Sequence, residues 1–171
     1  MKTTKLLQVI LSIVAIGFAL PAKAETMSVP SKASPAFTMD VPSDWKPKGD
    51  ENDESVEAAA PGDKAYVVAW TVKSADEKSL TKDLEATLKD AMKSVDDDVK
   101  ASELDQNGSH FYVFSGSGVD KRAGNKVKFL VGIFDAGGGN AGVVYADCDA
   151  DAPASTLDVL QKILQSIKVK K

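Results

Sequence analysis

The sequence predicts an α+β fold, an antiparallel sheet of about six or seven strands flanked by helices, and three observations carry that prediction. Period-two apolar alternation recurs in short runs joined by turns of hairpin length, such as Asn107-Gly108. Helical periodicity occurs only twice, over residues 80–95 and 157–167, with a run of strand patterns between. Helices set apart from the strands in this way fit α+β rather than a wound parallel sheet. Residues 65–72 place Tyr66, Val68, Trp70 and Val72 on one strand face and Ala65, Val67 and Ala69 on the other, which calls for cover on both sides.

Taken in order, the chain opens on an export signal. Lys2 and Lys5 precede a nearly charge-free apolar run over residues 6–20, and Pro21 leads into Ala22-Lys23-Ala24. The run is shorter than the roughly 20 residues a membrane span needs, and the small-residue pattern behind it fits cleavage after Ala24. Residues 1–24 are thus read as a cleaved signal peptide, residues 25–35 as a flexible lead-in and residues 36–171 as one domain, periplasmic or secreted. No cysteine stands at the cut to carry a lipid, so no stable membrane anchor is expected after cleavage.

Removing residues 1–24 takes away Lys2, Lys5 and Lys23 and no acid, which moves the formal charge from −4 to −7. That sign argues against nucleic acid or an anionic membrane as partner, since both require a basic face. Cys148 is the only cysteine, so no intramolecular disulfide can form, and its place at the end of an apolar strand reads as a small buried residue.

Phe37-Thr38-Met39-Asp40-Val41 alternates as a half-buried strand that Pro42 stops. Residues 46–55 hold nothing apolar to bury and read as an exposed loop. Residues 56–60 and 65–72 flank Pro61-Gly62-Asp63 as a hairpin. Leu80, Leu84, Leu88, Ala91, Met92 and Val95 share a helical face, with Ser79 as cap and Asp96-Asp97-Asp98 as stop. A short edge strand over residues 99–105 turns at Asn107-Gly108 into a strand from His110 to Gly116. Strands over residues 127–134 and 142–148 meet at Gly137-Gly138-Gly139-Asn140. A helix capped by Ser155 or Thr156 then aligns Leu157, Leu160, Ile163, Leu164 and Ile167.

The strand Phe37-Thr38-Met39-Asp40-Val41 running into Pro42-Ser43-Asp44-Trp45, followed by this order of elements to Ile167-Lys168-Val169, resembles the Mog1/PsbP-like family over residues 36–169. The resemblance implies a sheet sandwiched by helices and a non-catalytic accessory or binding role. One branch of that family serves the photosystem oxygen-evolving centre with its Ca and Mn ions, and another binds a small GTPase. No ligand residues of the first branch are matched here, and an exported protein would not meet the GTPase of the second.

Candidate chemistry is sparse. His110 is the only histidine, so neither a multi-histidine zinc set nor a well-supported nucleophile and base can be assembled. A hydrolase therefore stands only as an alternative without an assigned site. Gly137-Gly138-Gly139 has no Lys-Ser/Thr after it and reads as a turn rather than a phosphate cradle. One acidic run has calcium-loop spacing: with Asp147 as position one, Asp149, Asp151, Ser155 and Asp158 fall at three, five, nine and twelve. Ala152 stands at position six where the turn wants glycine. Calcium binding by these five residues is the first alternative to an exported binding module whose ligand or protein partner the sequence does not name. For that module the expected partner surface is Trp45 together with Lys121, Arg122 and Lys126 on a basic hairpin tip.

Overall fold

Alternation that buries every second side chain is realised as strands at nearly all the expected places, and the helical spacing as two helices. The computed structural model describes residues 23–49, 55–73 and 77–170. The expected signal peptide, apart from Lys23 and Ala24, lies outside the described residues, as do residues 50–54 of the acidic loop. In chain order the elements are β1 (Ala24–Val29), β2 (Phe37–Pro42), β3 (Ser55–Ala59), β4 (Ala65–Lys73), α1 (Glu77–Ala91), β5 (Met92–Val95) and β6 (Lys100–Gln106). They continue with β7 (Ser109–Asp120), β8 (Lys126–Gly137), β9 (Asn140–Asp149), α2 (Ala154–Gln165) and β10 (Lys168–Val169).

Seven strands form the main antiparallel sheet in the order β3-β4-β9-β8-β7, and the outer edge of β7 is shared by β5 and β6. A smaller sheet, β1-β2-β10, lies apart from it. Phe37, Met39 and Val41 of β2 join Leu160 and Ile163 of α2, and Ile167, which falls just beyond the helix rather than on it, in one core against Ala65, Val67, Ala69, Val144 and Ala146 of the main sheet. On the opposite face, Leu84 and Leu88 of α1 pack in a second core with Phe129, Val131, Val143 and Tyr145. The sheet is therefore sandwiched, as its two-sided apolar strand requires.

Several expectations need correction. Residues 25–35 are not simply a flexible lead-in: β1 pairs antiparallel with β2 from Ala24↔Pro42 to Val29↔Phe37, and Met27 and Val29 are buried. The expected cleavage point thus falls at the first residue of a strand. α1 begins at Glu77, two residues before the proposed cap Ser79, and ends at Ala91. Met92 and Val95 leave the helix for β5, where pairing with β7 replaces the helical bonds. Asp96-Asp97-Asp98 accordingly ends no helix and fills the gap between β5 and β6. Asp96 donates its N–H to the Ser117 carbonyl, while the Asp98 carboxylate accepts the Ser117 N–H and hydroxyl. These Ser117 bonds hold the Asp98 carboxyl below its ordinary pKa.

α2 is capped by Pro153 with no side-chain hydrogen bond, so neither Ser155 nor Thr156 caps it. Its far end is held from another part of the chain. Gln106 Nε2 donates to the Leu164 carbonyl at 2.6 Å, and Asn107 Nδ2 donates to Ile167 at 2.7 Å and to Gln165 at 3.1 Å. These carbonyls stand at and just beyond the helix C-terminus, where the regular helical bonds run out, although Leu164 also accepts the Ile167 N–H. Asn107 does this from the left-handed region, φ +50°, as the first turn residue of the β6–β7 hairpin. Asn107→Ala removes both the amide donor and the residue's tolerance of that φ, and is expected to cost about 2 kcal/mol. Asn107→Gly keeps the turn and should cost about half as much. Urea denaturation of the two variants separates the turn contribution from the helix cap.

Candidate functional site

An α-helix is about 10–12 Å across and strands lie about 4.8 Å apart, so a single helix covers only two or three strands of a sheet this wide. α1 lies over the core residues of β8 and β9, and the neighbouring face of β4 is only half covered. The result is a cleft of about 550 Å³ between α1 and the sheet. Its floor is Val68, Trp70 and Val72 of β4 with Tyr145 of β9, and its α1 wall includes the small side chains Ala86 and Ala91.

One end of the cleft is charged. Arg122 Nη2 lies 2.7 Å from both carboxylate oxygens of Asp147, and its guanidinium carbon stands 4.1 Å from the centroid of the Tyr66 ring. Asp147 is only 3% exposed and also accepts the Tyr145 hydroxyl at 2.8 Å. Burial pushes the Asp147 carboxyl above its ordinary pKa, against the opposing pull of Arg122 and Tyr145. Burial likewise raises the Tyr145 phenol, helped by the neighbouring Asp147 charge. Tyr66 is raised by burial and by donating to Glu57 at 2.7 Å.

Asp120, equally buried at 3%, has the opposite balance. Burial alone would raise it, but the N–H groups of Ala123 and Asn125 with the Arg122 charge and N–H outweigh that and hold the carboxyl below its ordinary value. These three N–H bonds, 2.9–3.1 Å long, wrap the loop after β7 around Asp120 and deliver Arg122 to the cleft.

The structure redistributes the residues singled out from sequence. The five calcium candidates do not converge: Asp147 is occupied by Arg122, and Asp149 accepts Lys64 Nζ at 2.9 Å. Asp151 is exposed in the turn, and Ser155 and Asp158 are exposed on α2. Among the described residues, no group of three or more His, Cys, Asp or Glu side chains is placed to hold a metal ion. Alternate spacing reproduced the offsets of a calcium loop, but a strand followed by a helix cannot curl its carboxylates around one point.

Trp45 is 6% exposed and belongs to the core beneath the small sheet, so it offers no partner surface. Arg122 is not a solvated tip residue, because Asp147 and Tyr66 hold it at the cleft. Lys121 beside it donates from Nζ to the Lys89 carbonyl near the end of α1, while Lys126 is exposed on β8. Trp70, expected in the core, lies half-buried in the cleft floor. His110 is exposed with Nδ1 2.8 Å from Asp105 and Nε2 3.5 Å from Glu103, and its ring meets Tyr112 edge-on. Cys148 is buried as expected, and burial keeps its thiol pKa high.

Tyr66, Tyr145 and Asp120 were not singled out as site residues. One local signal for them is readable in hindsight of the pairing: Tyr145 and Asp147 sit two apart, on one face of an otherwise apolar strand, so the acid needs a cation to reach it.

A sheet covered by one helix on one face, and by a second helix with a small sheet on the other, is an α+β sandwich whose fold resembles Mog1/PsbP. No family model matches the chain, and no curated protein matches it. Solved structures do match. LpqN of Mycobacterium tuberculosis, described as involved in cell envelope biogenesis, aligns at TM-score 0.57 and 16% identity over 86% of this chain and 92% of its own. The Ran-binding protein Mog1p of Saccharomyces cerevisiae aligns at 0.55 and 13% over 86% and 95%. A Bacteroides thetaiotaomicron protein aligns at 0.52 and 16% over 81% of this chain, which spans only 47% of that protein's length. At such identities the likeness is one of fold.

Proposed function

We propose that this chain is an exported, non-catalytic accessory module that binds a ligand in the cleft between α1 and β4. The observation that carries the reading is the cleft itself. Its volume of about 550 Å³ lies within the range of small-molecule sites, about 300–1,000 Å³, and its composition, an apolar and aromatic floor with a few polar groups at one end, is typical of them. The basic start, the apolar run over residues 6–20 and the Ala22-Lys23-Ala24 pattern support export. His110, the only histidine of the chain, is exposed, pairs with Asp105 and Glu103 and does not line the cleft, which favours binding there over hydrolysis by a histidine base.

The test uses anilinonaphthalene sulfonate, a fluorescent aromatic probe. In a Trp45→Phe background, Trp70 is the only tryptophan, and its emission should be quenched as the probe binds. In the same background, Ala86→Phe changes an exposed helix residue and fills the cleft from its wall without adding a second tryptophan. It is expected to reduce probe affinity about tenfold or more with the fold intact, the bulk excluding the probe from its apolar contacts. Binding that is indifferent to Ala86→Phe would sink the assignment.

A further inference from the structure

We propose that the cleft takes a small flat aromatic molecule bearing one carboxylate, its ring against Trp70 and its anionic end at Lys121 and Arg122. The inference rests on the cleft being the binding site and adds the chemistry of what enters it. The ring is argued from the floor: Val68, Trp70 and Val72 share one face of β4, and all three remain half-buried rather than sealed. Such a surface stacks a flat apolar body, and the small side chains of Ala86 and Ala91 leave room above it.

The carboxylate is argued from hydrogen-bond capacity at the charged end. Of the two deeply buried acids beside Arg122, Asp147 lines the cleft, and its oxygens already receive Arg122 Nη2 and the Tyr145 hydroxyl. Arg122 therefore answers Asp147 with Nη2, while Nε stands 3.6 Å from Asp120, beyond a good hydrogen bond. A guanidinium has five N–H donors and an ammonium three, so among the described residues the Nη1 donors of Arg122 and further donors of Lys121 are left over once Asp147 and the Lys89 carbonyl are served. The Arg122 side chain is half exposed, and its guanidinium carbon stands over the Tyr66 ring, already in place when a ligand arrives. Asp90, exposed at the α1 wall, and Asp120, buried behind Arg122, are the acids that oppose this arrangement. Surplus donors in a partly dry site favour an accepting anion over a donating cation.

The test compares 1-naphthylacetate with 1-naphthylmethylamine, which carry the same ring and opposite charge, against the purified protein. Calorimetry gives the affinities, and the indole N–H resonance of Trp70 reports whether the ring is in the cleft. Naphthylacetate is expected to shift that resonance and to bind about tenfold tighter than the amine, the difference expected of a charge-assisted contact. Lys121→Gln leaves the Arg122–Asp147 pair in place and should weaken naphthylacetate severalfold without strengthening or weakening the ring's own contact with Trp70. If the amine binds as tightly as the acetate and shifts Trp70, the carboxylate assignment is overturned while the cleft remains a binding site. If neither compound shifts Trp70, the cleft itself is not the site and both readings fall.

Discussion

Phe134→Ala is expected to remove about 3–5 kcal/mol of stability, the range for deleting a buried phenylalanine side chain. Phe134 is 2% exposed on β8, and three neighbours fit around its ring. Phe37 from the small sheet meets it edge-on with centroids 4.9 Å apart, and Phe111 from β7 lies 4.5 Å away at a tilt of 34°. Across the ladder Phe134 pairs with Gly142, where a Cβ would stand 2.5 Å from Phe134 Cε2. The ring thus occupies the space that any side chain at position 142 would need. Alanine at 134 leaves a hole bounded by two other rings and bare backbone, a site with little to collapse into it. Natural domains keep only about 5–15 kcal/mol in total, so the melting midpoint should fall by about 8 °C or more. A loss under about 1.5 kcal/mol would show that Phe37 and Phe111 close over the gap, which the cavity argument does not allow.

Arg122→Ala should cost about 2–4 kcal/mol at neutral pH, for a different reason. Removing one partner of an ion pair leaves Asp147 charged, 3% exposed and answered only by the Tyr145 hydroxyl. The loss is kept below the full value for a buried pair because the Arg122 side chain is itself half exposed. The pH dependence identifies the cause. Burial already raises the folded-state pKa of Asp147 above its ordinary value, and losing Arg122 raises it further. A carboxyl whose folded pKa exceeds its unfolded pKa binds its proton more readily when folded, so its charging destabilises the fold as pH rises through that interval. Lowering the pH towards the ordinary carboxylate range should therefore shrink the deficit of Arg122→Ala relative to the parent protein. Asp120, held below its ordinary value, contributes with the opposite sign: its stabilisation is complete above the unfolded pKa and is lost as pH falls through the folded one. Denaturation curves at several pH values check this, and a deficit independent of pH would mean that lost packing on Tyr66, rather than the unpaired acid, explains the variant.

The two effects mark the two faces of the sheet. Phe134 locks the small sheet and α2 to one side, where the main sheet is sealed. Arg122 closes one end of the other side, where a single helix leaves part of the β4 face open.

Local patterns in the chain were enough to define the sandwich. Alternation in residues 65–72 required cover on both faces, Asn107-Gly108 set a hairpin, and the spacing of Leu157, Leu160, Ile163 and Leu164 set a helix with one inward face. These features are legible because they depend on side-chain period and backbone preference over a few neighbouring residues. What tertiary structure decided were contacts between residues far apart in the chain. Trp45 stands in a polar turn and Trp70 in an apolar strand, yet the first is buried under the small sheet and the second lines a cleft, because α1 is too narrow to cover β4. Met92 and Val95 continue a helical spacing, yet β7 offered hydrogen bonds that drew them into a strand. Asp147 looked like a calcium ligand by its offsets, and only the pairing of β9 with β4 and the loop folded around Asp120 revealed Arg122 as its partner. The charge of a buried acid must be answered by whichever cation the fold brings to it, and sequence spacing does not say which one that is.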